Sequence, residues 1–306
     1  MGEIAAVWEK LGWEVTVVAT QRAGHATEIA AAAAGEGVLL VLAAGGDGTL
    51  GEVATGLAHS ETIMGALPSG TANTFAAELG LPRPSALSGA GLMAANELLT
   101  RGRIQRMDLG QCEGDGRYWL LWAGIGADSY VVNKIEPRPK WVRRTGRLGY
   151  MLLAARWLAV YRGGEATIEV DEQVLSGHFY LATVCNSRLY GGSLPLNMGG
   201  QLDDGVFEVL LFEANSFGQA LRLLWLVVRG RHVGAVGVKR LEGKRVVMRT
   251  AGGPWAYHTD GDPHGETPLE VRVEPRALRL LVGEKTDAHL FQEQGLPLSE
   301  FIRQKL

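Results

Sequence analysis

The stretch AAGGDGTLGEVATGL, residues 43–57, places a glycine-rich turn with one carboxylate between an apolar run and a helical pattern. Consecutive glycines after a buried strand let backbone N–H groups approach an anion, and the N-terminus of the following helix adds partial positive charge. The stretch therefore predicts a phosphate site. Asp47 fits such a site if it holds a metal ion through water or accepts a proton from a hydroxyl. The alternative is a tight strand-to-helix turn in which Asp47 caps the helix.

A second loop, LPSGTANTFAAELGLP at residues 67–82, repeats this arrangement. An apolar strand is followed by Gly70, and then Thr71, Asn73 and Thr74 open a helix with small polar groups. The two loops together predict two adjacent strand ends that face one nucleotide.

The pattern of strands and helices changes once along the chain. Up to about residue 106, the apolar runs EVTVVAT (14–20), GVLLVLAA (37–44) and TIMGALP (62–68) alternate with alanine-rich helical stretches. This alternation predicts an α/β domain at 1–107, with a parallel sheet and helical crossovers. From residue 108 onward, closely spaced strands predict a β-rich, antiparallel, sandwich-like domain at 108–306, whose segment 284–306 is a candidate to pack back on the first domain.

Composition narrows the class of protein. The chain has 306 residues, 46% of them hydrophobic, and a formal net charge of -3. These values predict a globular protein and argue against a dedicated nucleic-acid binder. Cys112 and Cys185 lie far apart, which gives neither a disulfide framework nor metal-ligand spacing, and the seven histidines show no metal-binding pair. No apolar stretch approaches the roughly 20 residues of a spanning helix, so we expect a cytoplasmic protein.

Five motifs occur in the order found in a known family. They are GGDGTLGEV (45–53), PSGTANTFA (68–76), AGIGADSYVV (123–132), NSRLYGGSLPLNMGGQLDDGVFEVLLFE (186–213) and DGDPHGETPLEVRVEP (260–275). This set resembles the diacylglycerol kinase catalytic-domain superfamily in its bacterial lipid kinase branch, which is related to sphingosine kinases and NAD kinases. The resemblance covers nearly the whole chain.

The resemblance implies ATP and Mg²⁺ as cofactors and assigns residues to them. The implied nucleotide-binding residues are Thr20, Gly45, Gly46, Asp47, Gly48, Thr49, Glu52, Gly70, Thr71 and Asn73. The implied metal-binding residues are Gln201, Asp204 and the backbone of Val206. Asp262 stands where the family carries its proton-accepting Glu, and Asp47 is the second candidate for the catalytic base.

Each acid also has a structural interpretation that stays open at this point. Asp203 and Asp204 before Gly205 fit a β-turn, and the segment 260–262 fits a hairpin turn. Asp128 fits a helix N-cap.

Two features depart from the family pattern. The family opens with a strand and an Asn-Pro, glycine-containing loop, whereas Met1 here falls inside the helix that follows them. We therefore expect the opening strand to be missing beside the strand that leads into GGDGT, which would leave backbone groups there unpaired. Either the chain as given starts too late, or another element fills this gap. Asp262 is also shorter by one methylene group than the family's Glu.

Two acid-free stretches rich in basic and aromatic residues, 137–164 and 220–241, suit an anionic membrane surface. The alternative is that their apolar side chains belong to the core and their arginines form a solvated face. With the family motifs, these stretches favour an ATP- and magnesium-dependent lipid kinase that phosphorylates a hydroxyl of a diacylglycerol-like membrane lipid, cytoplasmic and peripherally membrane-associated. An NAD kinase-like enzyme with a soluble acceptor and a non-catalytic nucleotide- or lipid-binding protein are the alternatives, and a homodimer stays open.

Overall fold

The computed structural model of the chain describes residues 1–83, 90–135 and 139–305. The helices are α1 (Gly2–Lys10), α2 (His25–Gly35), α3 (Asp47–Leu57), α4 (Thr74–Glu78), α5 (Ala90–Thr100), α6 (Ala127–Ile135), α7 (Lys140–Val160), α8 (Phe217–Val228) and α9 (Leu298–Lys305), with a 3₁₀ helix at Ala288–Leu290. The strands are β1 (Leu40–Gly45), β2 (Ile63–Pro68), β3 (Arg103–Cys112), β4 (Tyr118–Trp119), β5 (Trp122–Gly126), β6 (Gly164–Val170), β7 (Gln173–Phe179), β8 (Leu181–Cys185), β9 (Leu189–Tyr190), β10 (Leu194–Pro195), β11 (Phe207–Phe212), β12 (Val238–Gly243), β13 (Arg245–Thr250), β14 (Ala256–Thr259), β15 (Asp262–Glu266), β16 (Leu269–Val282) and β17 (Leu296–Pro297).

The chain divides into two compact units. The first consists of Met1–Met107 with Arg276–Leu306, and the second is Asp108–Pro275. The first unit is α/β and the second is rich in antiparallel strands. The predicted fold class is confirmed.

Parallel pairing of β1 with β2 organises the first unit. The register runs from Leu40 opposite Ile63 to Gly45 opposite Pro68, and β2 pairs in parallel with the end of β16. The crossover helix α3 buries Leu50 and Leu57 completely. Because β1 and β2 are parallel, both glycine loops follow their strands at the same edge of the sheet.

The segment 14–20, predicted as a strand, forms neither strand nor helix. Val17 and Val18 are 61% and 57% exposed. A β-branched run becomes a strand only when a neighbour pairs with its backbone groups, and within the described residues β1 pairs with β2 alone. The prediction for 14–20 was therefore wrong.

Two antiparallel sheets form the second unit. One follows the order β16-β13-β6-β7 and the other β12-β11-β8-β5-β14-β15. Their inner faces share one core, in which Trp119, Phe179 and Phe207 are fully buried. The rings of Trp119 and Phe207 stack with their centroids 5.0 Å apart. In the part of the chain that the structure describes, no helix is long and apolar enough to cross a bilayer.

Helix α1 is anchored to the first unit through one buried tryptophan. Trp8 is 1% exposed, and its indole Nε1 donates a hydrogen bond of 2.7 Å to Oδ1 of the buried Asn96 on α5. The neighbouring Trp13 packs edge-on against it, with ring centroids 5.8 Å apart.

Trp8→Phe should lower the free energy of unfolding by about 1–3 kcal/mol, because it leaves the Asn96 carbonyl buried without a donor. Urea unfolding measures this change. The matched control is Trp13→Phe, because the buried Nε1 of Trp13 has no hydrogen-bond partner among the described residues. Equal losses in the two variants would contradict an anchoring role for the hydrogen bond of Trp8.

Candidate active site

The first glycine loop ends β1 at Gly45 and starts α3 at Asp47. The first bond of the helix runs from the N–H of Leu50 to the carbonyl of Gly46, at 3.0 Å. The N–H groups of Asp47, Gly48 and Thr49 precede that bond, so the helix itself offers them no acceptor. They point out of the positive end of α3, which suits an anionic group.

Asp47 joins the first loop to the second. Its Oδ2 accepts a hydrogen bond from the N–H of Thr74, and its Oδ1 accepts one from the N–H of Phe75, both at 3.0 Å. Asp47 therefore caps α4, a helix other than its own. Because both carboxylate oxygens hold backbone amides, this geometry favours a positioning role for Asp47 over that of a catalytic base.

The two loops also touch backbone to backbone. A Cβ added to Gly70 would lie 2.5 Å from the Cα of Gly46, and one added to Gly46 would lie 3.3 Å from the Cα of Gly70. The N–H of Ser69 donates to the carbonyl of Gly45 at 2.9 Å. Glycine is required at position 70 because no side chain fits between the loops.

Asn73 closes the second loop on itself. It lies in the left-handed region with φ 49°, which Asn tolerates better than most residues. Its Oδ1 accepts from the N–H of Gly70 at 2.8 Å, and its Nδ2 donates to the carbonyl of Gly70 at 2.7 Å. Asn73 thus shapes the loop, whereas Thr71 is exposed in it.

The two remaining predicted nucleotide residues lie apart from this pair of loops. The carboxylate of Glu52 accepts bonds from the N–H groups of Gly24 and Ala26, at 2.8 and 3.1 Å, and so caps α2. Thr20 is exposed in the irregular segment before α2. The structure brings together Gly45, Gly46, Asp47, Gly48, Thr49, Gly70, Thr71 and Asn73.

In the second unit, the predicted metal residues lie on a turn organised by Asp108. This fully buried carboxylate accepts the N–H of Gly205 at 2.6 Å, and the N–H of Asp108 donates to the carbonyl of Leu202 at 2.7 Å. Asp204 accepts the N–H of Val206 at 3.2 Å. Partial burial raises the pKa of Asp204, and the charge of Asp203 adds to the effect, so a cation beside Asp204 would favour its ionised form.

Glu208 is an acid of this region that the sequence analysis missed. It is 4% exposed in the otherwise apolar strand β11, and its Oε2 accepts from Nδ2 of Asn197 at 2.7 Å. Burial raises the pKa of Glu208 to about 7, and the charge of Asp204 adds to the effect. Oxygen donors with uncompensated negative charge suit Mg²⁺, so Gln201, Asp204 and the Val206 carbonyl are a fitting donor set. In the sequence, the one signal that could have identified Glu208 is a single acid within an otherwise apolar strand.

The two acids of the segment 260–262 lie in different environments. The carboxylate of Asp260 accepts the N–H groups of Leu120 and Leu121 at 2.9 and 2.8 Å. Asp262 begins β15 and is exposed. Asp260 therefore fixes the turn that presents Asp262.

Asp128 lies in a buried network that residue patterns did not reveal. Its Oδ2 lies 2.7 Å from Nε2 of His258 and also accepts a hydrogen bond from the hydroxyl of Tyr190. Its Oδ1 accepts the N–H of Ser129 at 2.6 Å. This network fixes β14, which carries His258, immediately before the turn with Asp260.

Comparisons with known proteins identify the family and the fold. The family model described as the diacylglycerol kinase catalytic domain matches residues 1–112, and the one described as the YegS C-terminal NAD kinase beta sandwich-like domain matches residues 123–282. The chain is 29% identical over 272 residues to a diacylglycerol kinase of Bacillus subtilis, covering 88% of this chain and 86% of that relative. It is 28% identical over 230 residues to a diacylglycerol kinase of Mycobacterium tuberculosis, covering 74% and 71%. A crystal structure of a diacylglycerol kinase from Bacillus anthracis is similar in fold, with a TM-score of 0.69 and 21% identity over 89% of this chain and 86% of that one.

Glu208 should make stability depend on pH. Its pKa rises from an ordinary value of 4.5 to about 7 on folding, so between these values the folded chain binds a proton that the unfolded chain lacks. The stabilisation is complete below pH 4.5 and is lost as the pH rises through 7, by on the order of 3 kcal/mol.

Urea unfolding between pH 4.5 and 8 measures this loss. Glu208→Gln should remove that part of the slope, whereas Glu172→Gln, at an exposed acid in the turn before β7, should keep it. An unchanged slope in Glu208→Gln would contradict the assignment.

Proposed function

The chain belongs to the bacterial lipid kinase branch of the diacylglycerol kinase family, and we propose that it transfers the γ-phosphoryl group of ATP to a hydroxyl of a diacylglycerol-like membrane lipid. The observation that carries this proposal is the pair of glycine loops at the ends of β1 and β2. Asp47 locks these loops together, and the first N–H groups of α3 are left to receive phosphate oxygens.

Nucleotide phosphates are assigned to the first loop. The N–H groups of residues 47–49 can donate to phosphate oxygens, and the glycine backbone at 45–46 lets the anion come close. Thr49 and Thr71 add hydroxyl donors at the same edge of the sheet. Glu52 and Asn73 support nucleotide binding indirectly: Glu52 caps α2, and Asn73 fixes the shape of the second loop.

We assign to Asp262 the role of accepting the proton of the lipid hydroxyl. Its neighbour Asp260 accepts hydrogen bonds from two backbone amides, so the turn that carries the exposed Asp262 is fixed. Asp262 orients the hydroxyl and accepts its proton as the oxygen attacks the γ-phosphorus. Gln201, Asp204 and the Val206 carbonyl would hold Mg²⁺, which neutralises phosphate charge when bound.

A membrane acceptor is supported by one face of α8. Leu221, Leu224, Trp225 and Val228 are 48%, 45%, 52% and 56% exposed, and their spacing places them along one side of the helix. The guanidinium of Arg229 lies 4.8 Å from the centroid of the Trp225 ring. We name these four residues the α8 stripe. Apolar side chains beside arginines suit an anionic lipid surface.

The first basic stretch adds less to this argument. Arg138 lies outside the described residues, as do the side chains of Lys140, Arg143, Arg144 and Arg147. On the described part of α7, Met151 and Leu152 are exposed. The α8 stripe also favours a lipid over NAD, because a soluble acceptor does not require an exposed apolar helix face.

Transfer of labelled phosphate from ATP to diacylglycerol in anionic vesicles tests the proposal. Asp262→Asn should lower turnover about 10²- to 10⁴-fold, the cost of losing a general base, while ATP binding is retained. Asp262→Glu should keep measurable activity, and Glu266→Gln, at an exposed acid of the same strand, should match the parent protein. A parental rate for Asp262→Asn would make Asp262 a turn residue only. Transfer to soluble NAD alone would establish the alternative acceptor, and no transfer at all would favour a binding protein.

Replacing Leu224 and Trp225 together by Ser should weaken vesicle binding by about 10-fold or more, because both side chains lose the free energy of burial in lipid. Cosedimentation with anionic vesicles measures the loss, which should add to a weakening by salt. Val174→Ser, which removes a side chain 60% exposed on β7, is the matched control. Equal binding by all three proteins would exclude the α8 stripe as the membrane contact.

A further inference from the structure

Three side chains of metal-binding types converge in the second unit, outside the site described above. Cys112 ends β3, Asp115 lies in the turn before β4, and His264 lies on β15. One ligand atom from each lies within 4.8 Å of the other two. Among the described residues this is the one place where three such groups meet.

The thiol of Cys112 has no hydrogen-bond partner in the described part of the chain. Cys112 is only 3% exposed. Its N–H donates to the carbonyl of Arg117, and its carbonyl accepts the N–H of Gly116, both at 2.9 Å. A buried sulfur without a hydrogen-bond partner, close to an imidazole and a carboxylate, suits a soft metal ion.

The other two groups are also oriented toward this point. Oδ1 of Asp115 accepts the N–H of Arg117 at 3.0 Å, and its Oδ2 lies 2.9 Å from Nε2 of His264. On the far side of the ring, Nδ1 of His264 lies 3.4 Å from the hydroxyl of Thr259 and 3.2 Å from the guanidinium of Arg117. A metal ion on Nε2 requires the ring proton to be on Nδ1, and the hydroxyl of Thr259 is placed to accept a hydrogen bond from that Nδ1–H group.

We propose that Cys112, Asp115 and His264 bind a divalent transition-metal ion of the zinc class. Thiolate, imidazole and carboxylate are the ligands that Zn²⁺ takes, and three protein ligands leave the fourth tetrahedral position for water. Mg²⁺ does not fit, because it avoids sulfur. Binding moves the sulfur of Cys112 toward the other two groups, whose ligand atoms already lie 2.9 Å apart, and it releases one proton, that of the Cys112 thiol.

The ion would join two segments that are distant in sequence. It links the turn at 112–117 to β15, two residues beyond Asp262. The site is separate from Gln201 and Asp204, and it does not depend on the kinase activity.

Titration of the metal-free full chain with Co²⁺ tests the proposal, because a cobalt–thiolate bond gives a charge-transfer band in the near ultraviolet that oxygen ligands do not give. We expect one equivalent of this band, release of one proton, and bleaching when Zn²⁺ is added. Cys112→Ser should abolish the band. Asp115→Asn and His264→Gln should weaken cobalt affinity by about 10- to 100-fold or more.

Cys185→Ser is the matched control, because Cys185 is the other buried free cysteine and should leave the band unchanged. Asp115→Asn, at an exposed turn position, keeps the test valid if Cys112→Ser does not fold. Absence of the band in the parent protein would overturn the proposal. Loss of the band in Cys185→Ser, or full retention of the band in Asp115→Asn, would also overturn the proposal.

Discussion

The loops of the first unit depend on one contact, the approach of Gly46 to Gly70, which leaves no room for a Cβ at position 70. Parallel pairing brings β1 and β2 side by side up to Gly45 and Pro68, and the carboxylate of Asp47 then fixes α4 against the first loop. Asp47 also lies in the first turn of α3, but both of its carboxylate oxygens accept amides of α4, so the first N–H groups of α3 have no acceptor within their own helix. The fold therefore places donor N–H groups beside a bare backbone, an arrangement that suits an anion.

Several acids near the proposed site accept hydrogen bonds from the protein's own backbone. Glu52, Asp108 and Asp260 each accept N–H groups at the start of a helix or within a turn. The acids proposed to act in chemistry, Asp204 and Asp262, lie on turns that such neighbours fix. A carboxylate bound to backbone amides keeps its charge and its position, and it can therefore define the geometry of an exposed acid two residues away.

The alternation of apolar runs and helical stretches predicted the fold class, and the two glycine loops predicted which strand ends would meet. The local sequence pattern gave a wrong prediction where strand formation depends on a neighbouring strand. The segment 14–20 has strand-forming residues but no neighbour within the described residues with which to pair. The motifs located the region of Asp204 but not Glu208, whose environment depends on burial inside a sandwich. In the sequence, the spacing of the cysteines gave no sign of a metal site at Cys112. His264 comes close to Cys112 only because strands that are distant in sequence pair with each other. Tertiary contacts of this kind leave no periodic signal in a sequence.

If the α8 stripe contacts a bilayer as proposed, its small size has a kinetic consequence. Four side chains along eight residues span about 10 Å of helix, and each contributes at most about 1.5–3 kcal/mol when fully transferred from water. Such an anchor is comparable to a single short acyl chain, which binds membranes only marginally and reversibly. The protein would then leave the bilayer often and return to other patches, so its output would follow the surface density of the acceptor rather than its bulk amount. A few copies of the protein could then act on many membranes.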